Sequence, residues 1–178
     1  MAQRRLIILL GLVLAALALI ALSLPSGTRA GGDAKGTTRV VIGGHEFNLE
    51  IADDDASRQQ GLMNRTSIDE HGGMLFVFPD TKVFKQSFWM KNCVVDIDII
   101  YLDARGAVTA MHHMKAEPPR RADESDAAYD QRMQQHLYPS GYPAQFAIEL
   151  KSGWLEQLNL KVEDRIALDV ERVKAAAR

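Results

Sequence analysis

The sequence predicts an all-β domain, a compact β-sandwich or barrel-like, jelly-roll-like fold with two or three short helices, preceded by one N-terminal hydrophobic helix. Three observations predict it. Short segments rich in aromatic and β-branched residues recur between Gly, Pro and Asp turn signals. Helical spacing is confined to brief stretches, and no repeat or low-complexity block interrupts the chain. Residues 6–24 form an uncharged apolar run of roughly 19 residues, close to the ~20 that span a bilayer.

The apolar run comes first. Arg4 and Arg5 precede it, so the positive-inside rule sends the chain after Pro25 across the membrane. Segment 1–24 is therefore a signal-anchor or a signal peptide. Its length favours a retained anchor. Against that, Pro25 and Gly27 break the helix just before Thr28-Arg29-Ala30, whose small outer residues suit cleavage near Ala30. The expected location is extracytoplasmic, periplasmic or at the cell envelope, with the membrane as a partner if the segment is kept. Residues 25–38, with Gly31-Gly32 and Gly36, have the composition of a flexible linker. Segment 39–172 is the length of one domain.

Charge and cysteine content narrow the classes. The formal net charge is −2, and setting aside Arg4 and Arg5 leaves the remainder more acidic still. No nucleic-acid partner is expected of such a surface. Cys93 is the single cysteine, so no intramolecular disulfide forms. Beside Val94 and Val95 it reads as a small buried hydrophobe rather than a reactive thiol.

Taken in order, 39–42, the Gly43-Gly44 turn and 46–52 make a hairpin, with Phe47, Leu49 and Ile51 alternating on one face. Asp53, Asp54, Asp55 and Ser57 suit the first turn of a helix running to about Met63. The three acids lack the Gly and Glu spacing of a calcium loop. Strands are expected over 74–78, 84–90, 97–102 and 108–114, the last two joined tightly by Asp103-Ala104-Arg105-Gly106 and so antiparallel. Segment 118–137 breaks the pattern with Pro118-Pro119, mixed charge, and Tyr129 and Met133 at helical spacing. It reads as a surface insertion carrying one short helix, closed by the turn-rich Tyr138-Pro139-Ser140-Gly141-Tyr142-Pro143. A strand over 146–150, a turn of helix over 154–158 and a last strand over 165–170 complete the domain.

Four stretches carry a resemblance: Arg58-Gln59-Gln60-Gly61-Leu62-Met63-Asn64-Arg65, Gly73-Met74-Leu75-Phe76-Val77-Phe78, Phe88-Trp89-Met90-Lys91-Asn92 and Ile97-Asp98-Ile99-Ile100. In their order and spacing the chain resembles the domain of unknown function 192 family, more loosely through Glu117-Pro118, Ala147-Ile148-Glu149-Leu150 and Gly153-Trp154 to Asp164. The resemblance implies a compact β-sandwich, often behind an export or anchor segment, with no agreed activity. Cys93 stands where the family usually has threonine and Asp96 where proline is common, and the 118–137 helix is an elaboration.

Candidate ligand-binding residues are Arg58, Arg65, Trp89, Lys91, Asn92, Asp98 and Glu149. Trp89, Lys91 and Asn92 combine a stacking face, a cation and a two-way hydrogen-bonding amide, which suits a polar or sugar-like ligand. Arg58 and Arg65, seven apart, share a face if the helix extends that far, and either grip an anion or pair with Asp98 and Glu149. Asp96 and Asp98 are two apart on a strand, the spacing of an acid/base pair. Met111, His112, His113 and Met114 have the soft donors that copper(I) prefers, but alternate across a strand. Two readings of different class are open. The favoured one is an envelope-facing binding or interaction module for a small polar ligand, a glycan or a partner protein. The other is a hydrolase built on Asp98 and Glu149 with a histidine, with no catalytic residue assigned. Neither requires a cofactor, and copper binding through Met111 to Met114 is a weaker alternative.

Overall fold

A computed structural model of the chain describes residues 36–171 and 173. The N-terminal segment 1–24 and the cleavage region around Ala30 lie outside the described residues. Among the described residues, no helix is long and apolar enough to cross a membrane.

Among the described residues, eight strands form two sheets: β1 (Thr37–Ile42), β2 (His45–Ala52), β3 (Gly73–Val77), β4 (Phe84–Phe88), β5 (Ile97–Leu102), β6 (Val108–Met114), β7 (Tyr138–Ala144) and β8 (Phe146–Lys151). The short helices α1 (Asp55–Gln60), α2 (Asp126–Met133) and α3 (Trp154–Leu158) accompany them. The main sheet has six strands in the order β1-β2-β3-β8-β5-β6, while β4 and β7 pair separately. The fold is thus mostly β and does not close into a barrel.

The main sheet is antiparallel except where β2 runs parallel to β3. Parallel neighbours need a crossover, and residues 53–72, including α1, supply it. β8 lies between β3 and β5, so both edges are bonded and both faces covered. Its residues Phe146, Ile148 and Leu150 point into one core with Phe47, Leu49, Ile100 and Trp154. Ala147 points into a second core with Phe76, Ile99, Tyr101 and Leu62. Period-two alternation therefore places Glu149, an ionisable residue, on the second face.

Two segments depart from the pattern expected of the sequence. β7 occupies the turn-rich stretch, because a strand with one ladder partner tolerates Pro139 and Pro143. They stand opposite Ser87 and Lys85, with a register shift between those two residues. The strand expected over 165–170 does not form. Only Ala107 and Arg165 make a bridge, Ile166 N donates to Gly106 O at 2.9 Å, and the chain turns helical at 170. Ile166 still packs into the core, so its apolar pattern reflects burial without a ladder.

The 118–137 insertion carries α2 and is organised by Glu124. Arg132 bonds both carboxylate oxygens at 3.0 Å and also donates to the carbonyls of Pro118 and Pro119 at 3.2 Å. Tyr129 and Met133 are the buried residues of α2.

Candidate functional site

Helix α1 starts on a capping box. Asp54 accepts from Ser57 N at 2.7 Å while the Ser57 hydroxyl accepts from Asp54 N at 3.2 Å. It ends at Gly61, whose φ of 47° turns the chain away. The helix stops short of Met63, so Arg58 and Arg65 do not share a helical face. The Arg58 side chain is 8% exposed and donates to Val77 O at 2.7 Å and Asp55 Oδ1 at 2.8 Å. Lys82 donates to the same Asp55 oxygen at 2.6 Å. Hydrogen bonds from Lys82 and then Arg58 pull the Asp55 carboxyl down to about 2. The acidic run is thus a helix cap and a clamp for two cations.

Under this helix opens a cleft of about 280 Å³, lined by Arg58, Gln60, Gly61, Leu62, Phe76, Phe88, Trp89, Cys93 and Glu149 among others. Phe76 and Phe88 meet edge to face at 4.8 Å. Glu149 is buried, and its Oε2 has no hydrogen-bond partner. Burial pushes its carboxyl up from 4.5 to about 8, opposed only in part by the distant charge of Arg65. Residue 61, which lines the cleft beside this oxygen, is glycine. A Cβ there would lie 3.3 Å from the Phe76 ring and 3.7 Å from Glu149 Oε2. Gly73 has a related role, since a Cβ would lie 2.1 Å from the Glu149 carbonyl oxygen and force β3 and β8 apart. Cys93 is buried, and desolvation followed by the charge of Glu149 pushes its thiol up to about 12.

Only part of the candidate set converges here. Arg58, Trp89 and Glu149 share the cleft. Arg65 instead makes a two-pronged pair with Glu50, at 2.6 and 2.7 Å, in a neighbouring groove with Asn48, Ser67 and Asp69. Neither arginine pairs with Asp98 or Glu149. Lys91 stays beside Trp89, 5.4 Å from the centre of its ring, but both Lys91 and Asn92 are engaged by α2: Lys91 pairs with Asp130 and lies 5.9 Å from the centre of the Tyr129 ring. Asn92 N donates to the Tyr129 hydroxyl at 3.0 Å, and Asn92 Oδ1 accepts from it at 3.3 Å. They dock the insertion. Sequence reasoning passed over Gly61, Phe76 and Phe88 as site residues, although all three fall inside the family-like stretches.

Asp98 lies on the other side of the sheet. Its register partner in β8 is Leu150, whereas Glu149 stands opposite Ile99. The two carboxylates therefore face opposite cores, and the expected Asp98–Glu149–histidine hydrolase set does not assemble. Asp98 is fully buried and fully bonded. Oδ2 accepts from Gly153 N and Leu155 N, each at 2.9 Å, and Oδ1 faces His113 Nδ1 at 2.7 Å. Asp96 is bonded to Lys115 and Ala116, so it forms no acid/base pair with Asp98. In β6, Met111 and His113 oppose Ile100 and Asp98, while His112 and Met114 oppose Ile99 and Ile97. The four copper(I) donor candidates split between the two faces.

A β-rich domain with a mixed central sheet and a cleft floored by a buried, unbonded carboxyl is the class that fold and site define. The chain belongs to the domain of unknown function 192 family, described as an uncharacterized ACR, whose sequence model matches residues 38–168. No curated protein matches it. Among the solved structures similar to it are two proteins. One, from Sinorhizobium meliloti 1021 and described as a proposed transcription regulator, is 26% identical with a TM-score of 0.55, covering 72% of this chain and 89% of its own. The other, a protein of unknown function from Novosphingobium aromaticivorans DSM 12444, is 27% identical with a TM-score of 0.57, covering 74% and 85%.

Proposed function

We propose that this chain is a binding module facing away from the cytoplasm, and that the cleft over Glu149 takes a small polar, sugar-like ligand. The unbonded Glu149 carboxyl at the cleft floor carries the reading. Buried polar groups are nearly always bonded, so one left open toward a cleft marks a place where an incoming group supplies the bond. With its carboxyl raised to about 8, Glu149 is mostly protonated at neutral pH and offers both a donor and an acceptor. Hydroxyl groups match both. Trp89, Phe88 and Phe76 add ring surface for the apolar face of a sugar.

Binding fits this cleft better than catalysis. The Cys93 thiol, raised to about 12, stays protonated at neutral pH and is a poor nucleophile. Arg58 and Lys82 are already held by Asp55, which argues against a strongly charged ligand. The extracytoplasmic placement rests on the apolar run 6–24 behind Arg4 and Arg5, with the membrane as the partner if that segment is retained. The regulatory role described for the Sinorhizobium protein is not carried over, since a net charge of −2 gives no draw toward DNA.

Saturation-transfer NMR on the full chain in detergent micelles, against simple mono- and disaccharides, tests the proposal. At least one sugar gives saturable transfer that Glu149→Leu and Trp89→Ala both abolish while circular dichroism stays unchanged. Transfer from no sugar, or transfer that survives in both variants, overturns it.

A further inference from the structure

On the sheet face opposite the cleft, Asp98, His113 and Glu156 each offer an oxygen or nitrogen atom within 4.8 Å of the others. Their arrangement is directional. Asp98 is immobilised by three bonds, two to the backbone amides at the start of α3 and one to His113 Nδ1. A carboxylate that accepts from Nδ1–H leaves the Nε2 of a neutral imidazole with its lone pair outward. That nitrogen faces Glu156 Oε1 at 3.6 Å. The separation is too long for a hydrogen bond. It is close to the roughly 3.4 Å between two ligands of one tetrahedral zinc ion with bonds of about 2.1 Å.

We propose that His113 and Glu156, oriented by Asp98, hold a divalent cation of the zinc class. A histidine whose second nitrogen is tied to a carboxylate is the usual way a protein fixes a metal-binding imidazole. Charge favours the ion, since two carboxylates flank one imidazole and the neighbouring cation, Lys115, is held by Asp96 at 2.8 Å. Access is open because the His113 and Glu156 side chains are 45% and 65% exposed, leaving room for water to complete the coordination shell. Asp98 acts as a positioning residue, with both oxygens already engaged. The site draws on β5, β6 and α3, and shares no residue with the Glu149 cleft.

The test is calorimetric titration of the tag-free full chain in detergent micelles with zinc chloride, in a chelator-free buffer near pH 7. One ion binds per chain. Glu156→Gln, a surface change that leaves the fold intact, and His113→Gln each weaken binding at least about tenfold. Asp98→Asn presents an amide donor to Nδ1 and inverts the tautomer, lowering affinity about 10- to 100-fold. In labelled protein, zinc shifts the His113 Nε2 resonance in the wild type and fails to do so in Glu156→Gln. His136, which meets Glu117 at 2.7 Å, is the control, and His136→Gln leaves affinity and stoichiometry unchanged. A dissociation constant weaker than about 1 mM overturns the proposal. So does binding that persists in both His113→Gln and Glu156→Gln, or that disappears in His136→Gln. Sugar transfer at the cleft is read separately, so the two proposals fail independently.

Discussion

Asp98 and Glu149 stand on adjacent strands of one sheet, both buried and both acidic, and their surroundings treat them oppositely. On the α3 face every Asp98 oxygen is bonded, and the carboxylate joins three chain segments: β5, β6 and the start of α3. On the α1 face Glu149 Oε2 meets no donor, and Glu149 and Gly61 beside it line a cleft. Burial alone does not distinguish an acid that the fold satisfies from one that it leaves unbonded. The difference lies in whether the fold itself supplies the bonds.

Removing Asp98 tests the structural half most severely. Asp98→Ala leaves two amides of α3 and the His113 ring without their acceptor, and costs about 3 kcal/mol, read from urea unfolding followed by tryptophan fluorescence. A loss below about 1 kcal/mol would show that water replaces the carboxylate and would erase the contrast.

The unbonded acid is tested through pH. Glu149 is raised from 4.5 to about 8, so the folded chain holds a proton that the unfolded chain has released. Its stabilising share is complete below about 4.5, declines as pH rises, and is lost above about 8. Glu149→Gln removes this dependence. The variant is more stable than the wild type at high pH and little changed at low pH, and the ¹³C shift of the Glu149 carboxyl titrates near pH 8. A midpoint near the ordinary value would mean that the carboxyl is solvated and the cleft wetter than its walls suggest.

The smallest effect belongs to Trp154, on the bonded face. Its indole donates to Glu70 O at 2.6 Å, and its ring packs on Phe47 at 4.8 Å. Trp154→Phe keeps most of the packing and loses the bond, so the melting temperature drops by the equivalent of about 1 kcal/mol with no change in the Glu149 titration. Coupling between the two would mean that the sheet faces are not independent.

Elements whose pattern is local were legible from the sequence. The alternation of 97–102 and 108–114 with the tight Asp103–Gly106 link is a hairpin in any setting, and both strands lie where the pattern puts them. The stretch 138–144 was not legible, because prolines that normally signal turns are accommodated in a strand with one partner and a shifted register, which only its pairing with β4 reveals. Segment 165–170 misleads in the opposite direction, since apolar side chains drawn into the core resemble a strand whether or not its backbone is paired. Among the site candidates, Lys91 lies over the Trp89 ring as its adjacency suggests, but the ties of Lys91 to Asp130 and of Asn92 to Tyr129 come from α2, about 40 residues further along the chain, and were not legible.

The sequence by itself determined a β-rich domain of the domain of unknown function 192 family, with Asp98 and Glu149 as its notable internal acids, because side-chain periodicity and family-like motifs are properties of short stretches. Only the tertiary structure decided which acid is satisfied. That depends on register, which sets Glu149 against Ile99 and Asp98 against Leu150, and on which helix covers each face: α3 brings amides to Asp98, and α1 brings Gly61 and an opening to Glu149. A hydrogen bond needs its partner within about 3 Å, and residues 55 positions apart reach that distance only when the chain has folded.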